Sequence, residues 1–314
     1  LDLTVTRQYQ RRAQVIIGKN GTGLSVSDAR ITFEVTKTVK ATPNTALIKI
    51  YNLNPANEER VKTEFDEVIL NAGYLGAIDL IFRGNIKHIY RYHDGPDRIT
   101  EIEAGDGDHD YQRATMNETL AAGTTPAQLV ARAVGSFANV GGTTGGEIQV
   151  TGPARIRGKV VSGNTRDVLD DVARQAGANW SIQDGQLEIV GGDATRAGVA
   201  IIVTSNTGLL SAPEVSDKGI GVVCLMNPKI KINGALKLDN NSIRAKHKKQ
   251  PDGKAAAKPK KGNVRLDPDG VYKVIKLVHK GDTRGQDWTT TSTCIGLGQP
   301  IPAAEPESEF DEQQ

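Results

Sequence analysis

Three aspartates fall at alternate positions in "EAGDGDHDY", residues 103–111: Asp106, Asp108 and Asp110, with His109 between the last two. Carboxylates at that spacing are the raw material of a calcium loop. Such a loop also needs a glycine one position after its third aspartate and an acidic ligand near its twelfth position. Tyr111 and Asn117 stand at those places, so the stretch reads as a polar turn leaving a strand. "GKNGTG", Gly18 to Gly23, has the composition of a phosphate-gripping loop. It leads into the strand pattern "LSVSDARITFEV" rather than the helix such a loop requires, and a hairpin turn is expected. His88, His93, His109, His247 and His279 show no zinc spacing, and each is expected at a surface or an interface. Cys224 and Cys294 are too few for a disulfide framework. They read as buried, inert thiols in a chain assembled in a reducing compartment. Glu118 and Asp184 could pair only for glycan cleavage, and nothing in the sequence brings them together. No catalytic, cofactor-binding or metal residue is assigned, no cofactor is expected, and the chain is not read as an enzyme.

One charge cluster stands out. Arg244, Lys246, Lys248, Lys249, Lys254, Lys258, Lys260, Lys261 and Arg265 crowd into residues 239–267. They are the candidate partner-binding residues. Three readings stay open: docking on an acidic tail protein, a transient contact with DNA through its phosphates, or a solvated, mobile hairpin tip. Arg83, Lys87, Arg91, Lys273, Lys276 and Lys280 are further candidate surface contacts.

The elements that must position these residues fall into three blocks. The 314 residues suffice for two or three domains, each with its own core. Net charge is +2, and aromatics are 4% of residues, too few for a base-stacking surface. No apolar run approaches the ~20 residues of a membrane span, so no membrane insertion is expected. The first residues carry no basic segment followed by an apolar one, and no secretion signal is expected.

Residues 1–110 read as short strands. Ile31, Phe33 and Val35 alternate with Thr32, Glu34 and Thr36, and "TALIKIYNL", "EVILNAGY", "AIDLIFRG", "IKHIYRY" and "RITEIEA" follow. One short helix interrupts them, capped by Asn54 and opened by Pro55. Residues 111–195 form a small α/β module. Thr125 and Pro126 open one helix. Asn164 with Asp167 opens a second as a capping-box-like pair, and Gly177 ends it. Asp184-Gly185 then turns a hairpin. Residues 196–298 return to strands around the basic loop, and residues 299–314 are a flexible acidic tail. The fold class is therefore mainly β with an α+β insert: two β domains, β-barrel or sandwich by their strand spacing, flanking the module.

"RITFEVTKTVKATPNTALIKIYNLN", the close on "IEAGDGDHDYQRA", "TRDVLDDVARQAGANWSIQDGQLEI", "LLSAPEVSDKGIGVVCLMNPKIKING" and "GVYKVIKLVHKGDTRGQDWTTTSTC" follow in that order. This succession resembles the baseplate hub, or tail hub, proteins of long-tailed bacteriophages, and the hub region of the type VI secretion spike protein. The resemblance spans roughly residues 10–298. It implies two related barrels per chain and a homotrimer of pseudo-sixfold appearance. Such a ring surrounds a central channel and joins the sixfold tail tube to a threefold spike or tail tip. It further implies contacts with tube, spike, other baseplate or tape-measure proteins, and a place in the virion tail after assembly in the host cytoplasm. The rival reading is a peptidoglycan-cleaving tail-tip enzyme.

Overall fold

The computed structural model describes residues 8–19, 22–216, 218–245, 266–299 and 301. The first block supplies β1 (Arg11–Lys19), β2 (Thr22–Val26), β3 (Ile31–Thr38), β4 (Thr45–Tyr51), α1 (Pro55–Thr63), β5 (Glu67–Tyr74), β6 (Ala77–Asp94) and β7 (Asp97–Gly105). Alternation makes these strands. Ile31, Phe33 and Val35 point inward from β3, and Val15 and Ile17 do so from β1. Each such buried aliphatic contributes ~2 kcal/mol. Asn54 caps α1 by accepting from the Ala56 N–H at 2.9 Å, with Pro55 in the first turn. β1 and β2 pair antiparallel, Lys19 against Thr22, as the hairpin reading of "GKNGTG" requires; Asn20 and Gly21 lie outside the described residues. "AIDLIFRG" and "IKHIYRY" are one continuous strand, contrary to the break expected at Gly84. Gly84 is needed there because a Cβ would lie 2.5 Å from the Gly105 carbonyl oxygen.

The middle block contains α2 (Asp108–Arg113), β8 (Thr115–Leu120), α3 (Pro126–Ala138), β9 (Thr144–Ile148), β10 (Lys159–Asn164), α4 (Thr165–Ala176), β11 (Ala178–Gln183) and β12 (Gln186–Gly191). Thr125 and Gln128 form a capping box on α3. Gly177 ends α4 at φ 62°, and the Asp184-Gly185 turn takes φ 55° and 78°, the two left-handed residues a tight hairpin demands. Asn164 stands at the cap of α4, but its side chain makes no capping bond. Instead the Thr165 N–H reaches the Ala114 carbonyl at 3.0 Å, and the Thr165 hydroxyl meets Ser136 at 2.8 Å. Leu129, Phe137, Leu169, Trp180, Ile182 and Leu187 anchor a separate core. β9 runs parallel to β12 in the three-stranded sheet β11-β12-β9, and β8 and β10 form a two-stranded ribbon.

The last block contains β13 (Ile201–Ile202), β14 (Glu214–Ser216), β15 (Gly219–Leu225), β16 (Ala235–Lys237), β17 (Arg244–Ala245), β18 (Val271–Asp282) and β19 (Trp288–Gly296). Its core gathers Val222, Cys224, Leu236, Tyr272, Leu277 and Cys294. Both cysteines are buried and unpaired, and burial pushes each thiol up to about 12.

First and last blocks share one sheet, ordered β17-β14-β15-β19-β18-β3-β4-β7-β6-β5-β1-β2, with β13 and β16 beside β18. β18 is the shared strand. Its residues 271–273 pair with β16 and residues 276–282 with β3. The change falls at a register shift around Ile275, whose carbonyl accepts from the Val39 N–H at 3.1 Å. Neither lobe closes into a barrel among the described residues. β3 has two edges: β4 takes one and β18 the other, so neither is left to pair with β2 and close the first lobe. Cores interleave at this seam: Met226 and Trp288 join the first core, and Val39 joins the last.

Candidate functional site: a polar junction and free strand edges

The three aspartates of the opening stretch each hold something different. Gly105 ends β7, and Gly107 at φ 63° begins α2 in tight contact: a Cβ there would lie 2.5 Å from Ile182 Cδ1. Between them Asp106 is fully buried. Its carboxylate accepts from the backbone N–H of Asp184 at 2.5 Å and of Gly185 at 2.9 Å. It thus caps the hairpin turn of the middle block from the end of the first block. Asp108 pairs with Lys87 on β6 at 2.7 Å. Asp110 accepts from the N–H groups of Gly141 at 2.5 Å and Thr143 at 3.1 Å, fixing the segment after α3. The stretch is a splice between blocks rather than a simple strand end. Among the described residues no group of His, Cys, Asp or Glu is placed to hold a metal ion.

Around Asp106 lies a buried charge cluster. Lys37 extends the inward register of Ile31, Phe33 and Val35 on β3, is 2% exposed, and ion-pairs with Asp184. Lys231 approaches the same carboxylate at 3.6 Å and donates to the Leu80 carbonyl at 2.6 Å. Burial opposes ionisation of Asp184, but Lys37 and Lys231 overcome it and hold its carboxyl below the usual range. Asp106 moves the other way. Burial, then repulsion from Asp184, pushes it up to about 7 against the pull of Lys37. His279 is buried, contacts the Thr290 hydroxyl through Nδ1 at 2.9 Å, and is driven down to about 3 by burial and the two lysines. It is a neutral core imidazole, not the surface group expected. Asn44 completes the cluster, donating to the Ile182 carbonyl at 2.8 Å and to the Gln183 side chain at 3.0 Å.

A second polar seam joins β12 to the last block. Glu188, 2% exposed, pairs with Arg196 at 3.0 Å and accepts from Asn233 at 3.4 Å. Lys273 is fully buried, donates to the Gly191 carbonyl at 2.7 Å, and is lowered to about 8 by burial. It is therefore no surface contact, because its position on β18 faces the module. Arg83, Arg91 and Lys280 are ion-paired with Glu67, Glu59 and Asp287, and Lys276 is exposed. Glu118 lies on β8 against Arg132 at 2.7 Å, while Asp184 is in the junction, so the two carboxylates do not share a cleft.

Of the basic candidates, Arg244 contributes backbone to β17. Lys246, Lys248, Lys249, Lys254, Lys258, Lys260, Lys261 and Arg265 lie outside the described residues, as does His247. The junction residues Lys37, Asn44, Lys231 and Glu188 carry no motif. Only the inward register of Lys37 signals its burial.

Free edges remain. β6 has β5 beside residues 77–85, but residues 86–94 have, among the described residues, β7 alone as strand partner, and there His88, Tyr90 and Tyr92 are exposed on one face. Among the described residues β2 and β10 each have one strand partner.

The fold is that of known tail proteins. A tail protein from Neisseria meningitidis MC58 superposes with a TM-score of 0.59 at 9% identity, over 92% of this chain and 98% of that one. The 43 kDa tail protein of prophage MuSo2 from Shewanella oneidensis gives 0.57 at 9% identity, over 91% and 100%. A type VI secretion component from E. coli, described as structurally similar to the T4 tail proteins gp27 and gp5, gives 0.55 at 10% identity, over 92% and 79%. No curated protein matches the sequence. The family model described as "Baseplate hub gp41" matches residues 14–243, more than two thirds of the chain, and the protein therefore belongs to the baseplate hub gp41 family.

Proposed function

We propose that this structural tail protein is a homotrimeric hub that adapts the sixfold tail tube to a threefold spike or tail tip and lines the central channel. Membership of the baseplate hub family is the observation that carries the reading. Two strand-built lobes on one shared sheet support it: three chains would present six lobes to a sixfold tube while the true symmetry stays threefold. Free edges such as residues 86–94 of β6 supply backbone groups that can pair with another chain. Its partners are then two further copies of itself, the tube protein, a spike or tail-tip protein, and neighbouring baseplate or tape-measure proteins. The type VI relative, by its description, connects this fold to the T4 tail proteins gp27 and gp5. The basic stretch 239–267 would meet an acidic neighbour or the DNA in the channel. Replacing its lysines with Gln should impair particle assembly, and unchanged assembly and infectivity would remove it from the interface.

Cryo-microscopy of the assembled tail tip tests the reading. It should show three copies around the axis between tube and spike. Two or six copies, or a position away from the axis, would sink it. The rival reading, cell-wall cleavage, predicts clearing on peptidoglycan zymograms. No observation of the site favours it.

A further inference from the structure

The β8–β10 ribbon is an unfinished sheet. Its inner face packs on the module core through Met116, Leu120 and Val161, but among the described residues β10 has β8 as its one strand partner. A ribbon of two strands is marginal until a third strand or another element covers it. Beside β10 runs a groove of about 170 Å³ between the strand and α4, lined by Leu129, Val161, Val168 and Val172 and also by Asp167 and Asp171, whose charges are met by Arg166 and Arg174. The rim is unusual for this protein. Ile156 is 92% exposed and Val160 69%. Arg155, Arg157 and Lys159 have no ion-pair partner among the described residues, whereas nearby Arg132, Arg166 and Arg174 are each paired with an acid.

We propose that this edge and groove dock the acidic segment of the same protein, residues 302–314, as an added strand. That segment, "PAAEPESEFDEQQ", lies outside the described residues. It carries Glu305, Glu307, Glu309, Asp311 and Glu312, no lysine or arginine, and one aromatic, Phe310. The complementarity is of both kinds: five acids meet three cations without an ion-pair partner among the described residues, and one ring meets the aliphatic part of the groove, Leu129, Val161, Val168 and Val172, beside two exposed aliphatics. Strand addition supplies backbone bonds, and the groove supplies the side-chain selection. The described chain ends at Ile301, packed on the last core, and Phe310 follows nine residues later, about 30 Å away when extended. A folded chain of this length has a radius of gyration of about 20 Å. The inference does not use the hub reading, and a non-trimeric assembly would leave it untouched.

The test places a photo-crosslinking phenylalanine analogue at Phe310 of the full chain and maps the adducts by mass spectrometry. Adducts should fall within residues 156–172, whether of the same chain or of a neighbouring copy. In R155Q/R157Q/K159Q, checked for native circular dichroism, their yield should drop about tenfold, since three exposed charge contacts contribute ~0.5 kcal/mol each. V160N, which removes an exposed aliphatic from the rim without changing its charge, should lower the yield as well. Adducts confined to the basic stretch 244–265, a yield indifferent to both variants, or no adduct on the module would each overturn the proposal.

Discussion

Two junctions hold the three blocks together, and they are built from different materials. Where the first lobe meets the last, β3 and β18 pair over seven residues, Thr38 to Thr32 against Lys276 to Asp282. The bonds there belong to the backbone, and any strand-compatible side chain preserves them. Where the module meets the lobes, the contacts are side chains on a hairpin turn: Asp106 on the turn N–H groups, Asp184 between Lys37 and Lys231, Glu188 on Arg196. The backbone bonds of a sheet seam survive substitution and do not themselves titrate. A buried polar seam depends on single residues and titrates, because each group left without its partner keeps its desolvation cost.

The largest test of that difference is Asp184→Asn. Asparagine keeps the left-handed turn but leaves Lys37 buried without its anion, and should cost about 3 kcal/mol in urea unfolding. Leu277→Ala, in the strand shared by both lobes, should cost a comparable ~3 kcal/mol through the cavity it leaves. The two differ in how they act. Trp180 reports the module core and Trp288 the first core. Asp184→Asn should pull the Trp180 fluorescence transition ahead of that of Trp288, whereas Leu277→Ala should lower both together. Coincident transitions in Asp184→Asn would mean the polar seam is no weaker than the sheet. Asp106→Ala orphans two buried turn donors and should cost ~2 kcal/mol with the same separation of probes.

A pH series sharpens the comparison further. Asp106 binds its proton more tightly folded, at about 7, than unfolded near ~4. Its contribution is complete below the unfolded value and is lost as pH rises through 7. His279, lowered to about 3, does the reverse. Its contribution is complete above the unfolded value near ~6.5 and is lost as pH falls towards 3. The two slopes oppose each other between about pH 4 and 6.5. Asp106→Asn removes one of them, so the variant's stability should climb with pH across that window more steeply than the wild type's. An unchanged slope would show that Asp106 stays ionised. The smallest effect belongs to the solvent-facing pair Lys280–Asp287: Lys280→Ala should change unfolding by under ~0.5 kcal/mol.

Much of the scaffold was legible in the residues alone. The alternation of Ile31, Phe33 and Val35, the caps at Asn54 and Thr125, the stop at Gly177 and the Asp184-Gly185 turn are local, and local physics decides them. Gly84 misled, because a glycine that ends a strand and one that lets two strands cross closely look the same in sequence. Asn164 was legible as the start of α4, but its side chain makes no capping bond there.

The inward phase of β3 extends to Lys37, and the pattern alone therefore marked a lysine for burial. It could not name the anion, which lies 147 residues away on a turn. His279 and Lys273 occupy inward positions of β18, yet nothing in their neighbours says which block they face. Periodicity determines which face of a strand is dry. Which strand lies alongside, and which charge arrives from another block, is decided by the packing of three cores against one another, and only the folded chain contains that information.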